Sequence, residues 1–270
     1  MESVSKKQGR QALKLEAEIR QRLGERNILL MTHLIVGYPS LEANWEMLEV
    51  MAEVDVDMVE LQLPFSEPIA DGPTFARANQ LALERGISTA AYFDFFGRAS
   101  ERFEFPHLMM GYYNAAFRMG HRKFCQQLSS SGGRGYILPD LPFEEYGDLF
   151  DCSRESSLAP ILLMTPTNTR ERLVQIGARS AGFVYVVARK GVTGRRSELD
   201  AHLDDFLEQC RASTPLPLAL GFGLQNGDDL RGLHDRVEMG IVGSALLHRW
   251  EADGLEGYRK LLEDLGAARI

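Results

Sequence analysis

The run Met58-Val59-Glu60-Leu61-Gln62-Leu63 is apolar apart from Glu60 and Gln62. The turn-rich segment Pro64-Phe65-Ser66-Glu67-Pro68-Ile69-Ala70-Asp71-Gly72-Pro73-Thr74 follows it and delivers a second acid, Asp71. Side chains alternate faces along a strand, so Met58, Glu60 and Gln62 share one face and Val59, Leu61 and Leu63 the other. If both faces are covered, Glu60 is a carboxylate in a place that charges avoid unless they are paired or used.

The flanking chain supplies that cover. Ile28 to Val36 is a near-continuous apolar run stopped by Gly37-Tyr38-Pro39, which suits a strand buried on both faces of a parallel sheet. Ser40 caps a helix on which Leu41, Trp45, Leu48 and Ala52 recur at helical spacing. The alternation continues with a strand at 56–63, a helical region over 75–103 split near Gly86, a strand at 107–112 and a helix near 118–130. A strand at 135–140, a helix at 144–156, a strand at 159–164 and a helix at 169–177 follow. Beyond them come a strand at 182–187, the loop Gly191-Val192-Thr193-Gly194, a helix carrying Leu203, Phe206, Leu207 and Cys210, and a strand at 216–220. A short helix near 226–233, a strand at 237–242 and a closing amphipathic helix complete the chain.

Eight strand candidates, each followed by a helix candidate, favour a single (β/α)₈ TIM barrel over an open doubly wound sheet. No Gly-x-Gly-x-x-Gly follows the first strand, which weighs against dinucleotide binding. Ala12, Leu15, Ile19 and Leu23 predict an extra N-terminal helix that caps one end, with residues 1–10 frayed. Nothing divides the chain, so residues 1–270 read as one domain.

The 270 residues are 44% hydrophobic and 25% charged, ordinary for a globular protein with a real core. A formal charge of -8 argues against general affinity for nucleic acid or anionic membrane. It leaves room for a local anion site made of backbone amides. Cys125, Cys152 and Cys210 are dispersed and lack C-x-x-C spacing, which predicts free thiols in a reducing cytoplasm. The six histidines form no metal-binding spacing, so no metal is expected. No signal peptide is apparent, and no apolar run approaches the roughly 20 residues of a membrane span.

Barrel chemistry sits at the C-terminal ends of the strands, where Glu60, Tyr112, Asp140 and Tyr185 fall, with Asp71 on the loop after the second strand. Asp140, before Leu141-Pro142, fits a turn or cap as well as a chemical role. Tyr112 and Tyr185 fit core aromatics as well as site residues. A buried carboxyl can give and take protons near neutral pH, while an aspartate on a wetter loop stays ionised and stabilises positive charge. Gly223 follows the seventh strand, and Gly243-Ser244 follows the eighth and opens a helix. Barrels often hold a phosphate with these loops and that helix N-terminus.

The segment from Glu60 to Thr74 closely resembles the signature of the tryptophan synthase alpha chain family. The resemblance continues at Tyr112-Tyr113-Asn114, Asp140-Leu141-Pro142, Tyr185 to Arg189, Gly191-Val192-Thr193-Gly194, Gly221-Phe222-Gly223 and Val242-Gly243-Ser244-Ala245. It implies retro-aldol cleavage of indole-3-glycerol phosphate to indole and glyceraldehyde 3-phosphate without a cofactor. The residue matching Glu60 is then the general acid and base, the one matching Asp71 stabilises charge at the indole nitrogen, and Tyr185 orders the site. Met110, Phe222 and Tyr112 would contact the substrate, and Gly194, Gly223, Gly243 and Ser244 would cradle its phosphate. The resemblance also implies an alpha-beta-beta-alpha heterotetramer with a tryptophan synthase beta subunit, which would own the pyridoxal phosphate (PLP). A free-standing lyase, or a weakly catalytic module that activates a beta subunit, are the rival readings.

Four positions depart from the family's pattern. Tyr38 replaces an acid, Gln62 a glycine on the inward face beside Glu60, and Glu67 an aspartate. His33 stands where an aromatic or similar pocket residue is common. Neutral drift with repacking and a specialised paralogue both fit these changes.

Overall fold

The computed structural model describes residues 14–188, 196–221 and 223–270. Residues 1–10, Gly194 with its loop, and Phe222 therefore lie outside the described residues. The strands are β1 (Leu29–Ile35), β2 (Met58–Gln62), β3 (His107–Met110), β4 (Gly135–Ile137), β5 (Ala159–Ile161), β6 (Leu163–Met164), β7 (Val184–Val187), β8 (Leu218–Gly221) and β9 (Met239–Val242). All pairings are parallel, in the order β5-β4-β3-β2-β1-β9-β8-β7-β6. The two ends of that order are separated in the chain by Leu162 alone, so the sheet curls into a nearly closed barrel. The nine segments are the eight expected strands, with the fifth broken where the Leu162 amide donates to Ser180 Oγ (3.1 Å).

The helices are α1 (residues 14–23), α2 (Leu41–Glu53), α3 (Pro73–Glu84), α4 (Thr89–Arg102), α5 (Tyr113–Met119), α6 (His121–Ser130), α7 (Leu149–Ser156), α8 (Arg170–Arg179), α9 (Arg196–Ser213), α10 (Gly227–Arg231) and α11 (Ser244–Ala267). Local chemistry sets their starts. Ser40 Oγ accepts from the Ala43 amide to cap α2, and Pro73 occupies the first turn of α3. Two expected helices are shorter than predicted. The region near 118–130 is two helices hinged at Gly120 (φ 79°). The one over 144–156 begins as a 3₁₀ turn at Phe143–Glu145, and α7 forms only after Gly147 (φ 52°).

Every residue of β1 and β2 is buried, because helices cover one face and the barrel interior the other. The interior cluster stacks Leu29, Met31, Met58, Leu108, Ile137, Phe183, Ala219 and Met239. Leu15 and Ile19 of α1 join that cluster, so α1 closes the N-terminal end.

That end also carries a buried ion cluster. Asp57, 1% exposed, accepts from the Leu30 amide and from Arg269 Nη1, both at 2.9 Å, and pairs with Arg22 and Arg26. The Asp57→Ala change leaves the buried Arg269 guanidinium without its carboxylate. It is expected to cost about 3–5 kcal/mol, read as a lower urea midpoint at unchanged slope.

Candidate active site

At the opposite end, a cavity of about 420 Å³ opens between the strand ends, in the usual size range for a small-molecule site. Met110, Ile137, Leu163, Val187, Leu224 and Ile241 give it apolar walls. Glu60, Asp71, Tyr185 and His33 point polar groups into it, and Gly223, Gly243 and Ser244 form part of its rim. Of the residues expected at the site, the barrel thus brings together Glu60, Asp71, Tyr185, Met110, Gly223, Gly243 and Ser244.

Tyr112 is placed differently. It is fully buried, stacked on Phe65 (5.0 Å between ring centroids), and outside the cavity lining. Its hydroxyl accepts from the Ala70 amide (3.1 Å) and hydrogen-bonds Asp71, so it holds the acid-bearing loop from behind. Asp140 takes the Tyr113 amide on both carboxylate oxygens (2.9 and 3.1 Å), which makes it a cap for α5.

Glu60 is 2% exposed and faces inward from β2, opposite His33 of β1 in the sheet register. Its Oε2 is buried and lacks an aligned hydrogen-bond partner among the described residues. His33 Nδ1 lies 3.3 Å away, within ion-pair range. Asp71 is more enclosed than a wet loop implies. Burial raises its pKa above the ordinary aspartate value, opposed by a hydrogen bond from Gln62 and by the charge of His33. Its Oδ2 accepts from Gln62 Nε2 (2.7 Å) and Asn79 Nδ2 (3.1 Å). Tyr185 titrates well above the ordinary phenol range, through burial and then the charges of Glu60 and Asp71, so it is a neutral hydrogen-bonding group at physiological pH. The Gly221 backbone makes room for its ring, because a Cβ there would lie 3.0 Å from Tyr185 Cε1.

The rim is suited to an anion. α11 starts at Ser244 with no side-chain cap on its free amides. Gly223 adopts φ 70°, which other residues resist, and a Cβ on Gly243 would lie 2.6 Å from the Phe75 ring. Thr74 and His248 also line the cavity and hydrogen-bond each other (2.9 Å). Neither was expected at the site. Asn79 was also missed, although a fully buried asparagine beside Ala78 and Ala82 on the inner face of α3 is a signal that the helical pattern carries.

Inward acids at the C-terminal mouth of a (β/α)₈ barrel, beside an uncapped helix terminus, are the arrangement of a barrel enzyme's site. The family model described as tryptophan synthase alpha chain matches residues 19–266. The chain is 42% identical to the tryptophan synthase alpha chain of Desulfotalea psychrophila over 89% of its own length and 94% of that protein's. It is 40% identical to that of Syntrophotalea carbinolica, over 93% and 99%. Among solved structures, it resembles tryptophan synthase from M. tuberculosis with a TM-score of 0.86 at 31% identity, covering 95% of this chain and 98% of that one. The chain belongs to the tryptophan synthase alpha chain family, carbon–carbon lyases that cleave indole-3-glycerol phosphate.

Proposed function

We propose that this cavity holds indole-3-glycerol phosphate with its indole ring between the apolar walls and its phosphate on Gly223, Gly243, Ser244 and the first amides of α11. The reading rests above all on Glu60: a buried inward carboxyl at the mouth of an apolar cavity, its Oε2 3.3 Å from His33 Nδ1. Glu60 protonates indole C3. The positive charge that appears at the indole nitrogen is stabilised by Asp71. Glu60, now a carboxylate, takes the proton of the side-chain hydroxyl adjoining the ring as the carbon–carbon bond breaks, and the bond electrons return to the indole. Indole and glyceraldehyde 3-phosphate leave, and Glu60 regains its starting state. Tyr185 packs and orients the substrate beside these groups. The residues themselves supply all of this chemistry, so no cofactor is needed.

The partner in this reading is a tryptophan synthase beta subunit, which carries the PLP, in an alpha-beta-beta-alpha assembly. A tryptophan synthase complex from Pyrococcus furiosus resembles this chain with a TM-score of 0.79 at 27% identity. Supporting a docking face, Glu67 is exposed, and Ile69 and Phe117 are large apolar side chains exposed by 79% and 66%. The three buried free thiols suit a reducing cytoplasm.

The deciding experiment is indole release from indole-3-glycerol phosphate by the purified chain, alone and with a beta subunit. Release that rises with the partner supports the reading, full activity alone favours a free-standing lyase, and none in either setting overturns it. The phosphate cradle has its own test. Ser244→Asp puts a negative charge on the uncapped helix terminus and is expected to raise KM at least about tenfold with kcat little changed, as loss of uniform binding does.

A further inference from the structure

His33 and Gln62 belong to one hydrogen-bonded chain that joins the two acids, and its proton positions follow from a fixed point. The Phe65 backbone amide donates to Asn79 Oδ1 (3.0 Å), so that atom is the amide oxygen, and Asn79 Nδ2 donates to Asp71 Oδ2 and to the Phe75 carbonyl. The Gln62 atom facing both Asn79 Oδ1 (3.4 Å) and Asp71 Oδ2 (2.7 Å) must then be its NH₂, because the opposite orientation sets oxygen against oxygen. Gln62 Oε1 is left facing His33 Nε2 at 2.7 Å, so Nε2 carries a hydrogen. The remaining ring nitrogen, Nδ1, is the one beside Glu60 Oε2. Phe75 stacks on the imidazole at 4.5 Å between centroids and holds its plane. Gln62 is fully buried and outside the cavity lining, so it does not narrow the substrate's space.

We propose that His33 is a positioning residue that shares one proton with Glu60 across Nδ1 and Oε2, and that Gln62 fixes its tautomer while tethering Asp71. This rests on the assignment of Glu60 as the proton donor. With Nε2 occupied, the pair holds its proton either on Glu60 or on His33. Delivery to substrate carbon leaves a carboxylate oxygen facing an imidazole lone pair, a repulsion relieved when the substrate hydroxyl returns a proton. One proton leaves the pair and one comes back, so the cycle balances. Burial disfavours charge on His33, but Glu60, and after it Asp71, outweigh that and raise its pKa.

The titratable groups around the pair are Asp71 with Tyr112 behind it, Tyr92 of α4, Tyr185 across the cavity and His248 at the rim. The three tyrosines titrate far above the working range, through burial first.

A proton with two places to sit is lost at higher pH than a proton with one. His33→Phe is therefore expected to lower kcat by about 10²-fold and to move the basic limb of the kcat/KM profile to lower pH, with KM little changed. Gln62→Leu, which frees the tautomer, is expected to move the same limb in the same direction by less, and His234→Gln, outside the cavity, to leave it in place. A profile that only falls in height in His33→Phe makes His33 a wall residue and overturns the proposal. A readout independent of turnover is ¹⁵N NMR of histidine-labelled protein, with His33→Phe for assignment. The expected state has Nε2 protonated throughout and Nδ1 titrating above the ordinary histidine range. The opposite tautomer, or titration at the ordinary value, overturns the proposal. If the expected NMR state appears in a protein that releases no indole, the proposed function fails and the proton-sharing pair stands.

Discussion

Glu60→Gln is expected to abolish indole release, with a loss of at least about 10⁴ in kcat, while the fold and ligand binding survive. The magnitude follows from the two acts assigned to one group. General acid–base assistance contributes about 10²–10⁴ in rate, and Glu60 both protonates carbon and accepts the hydroxyl proton. Glutamine does neither. It matches glutamate in size, and its NH₂ can donate to His33 Nδ1, which the wild-type chain sets 3.3 Å from Oε2. The variant should therefore unfold at a similar temperature and show the same thermal shift with glycerol phosphate that the wild type is expected to show through the Gly243-Ser244 rim. Steady-state indole release and a thermal-shift titration, measured together, check both halves. Near-wild-type turnover would remove Glu60 from the chemistry, and loss of the ligand shift would mean that the substitution disturbed the cavity as a whole.

The position of Glu60 is legible in the sequence because the signal is physical. An acid inside an apolar strand is costly, and the period-two pattern put Glu60 on the inward face with Met58 and Gln62, where β2 places it. The alternation of apolar runs and amphipathic stretches made the barrel legible too, down to Leu15 and Ile19 closing one end, which the fold shows to be the N-terminal one. Short breaks were less legible. A helix pattern runs through Gly120 and Gly147 without showing that each adopts positive φ there. Tyr112 lies two residues past the end of β3, at the start of α5, and its hydroxyl sits behind the Asp71 loop instead of in the cavity.

What single positions hid most was pairing. His33 and Gln62 each read as a departure from the family's pattern, one beside a pocket and one beside an acid. They lie 29 residues apart, and only the β1–β2 register brings the ring within 2.7 Å of the amide oxygen. Tyr38 behaves likewise: its hydroxyl donates to Glu251 of α11 (2.7 Å), a partner 213 residues away that no local pattern suggests. Long-range polar pairs form from residues whose types say only that they need partners.

Asp71→Ala carries the second large effect, an expected loss of about 10²–10³ in kcat, with KM changed far less. The neutral indole N–H of the bound substrate offers the Asp71 carboxylate one hydrogen bond, worth about 1.5 kcal/mol net at the lower end for a charged acceptor. Protonation at C3 turns that edge of the ring cationic, and a fixed carboxylate in a water-poor cavity then stabilises charge that exists only near the transition state. Loss of such a group typically costs about 2.7–4 kcal/mol of barrier. The larger effect should therefore fall on kcat, with a smaller loss of substrate affinity. Asp71 must be ionised to act, and burial raises its pKa, so activity falls as pH drops through a value above that of an exposed aspartate. The hydrogen bond from Gln62 works against that rise. Gln62→Leu removes it, so the acidic limb of the kcat profile should move to higher pH in that variant, even as the basic limb of the kcat/KM profile moves down. A narrowing of the active pH range from both sides by one buried amide is an outcome that a mere packing role for Gln62 does not produce. An acidic limb that stays in place would mean that Asp71 is held ionised by its other donors, Asn79 and Tyr112.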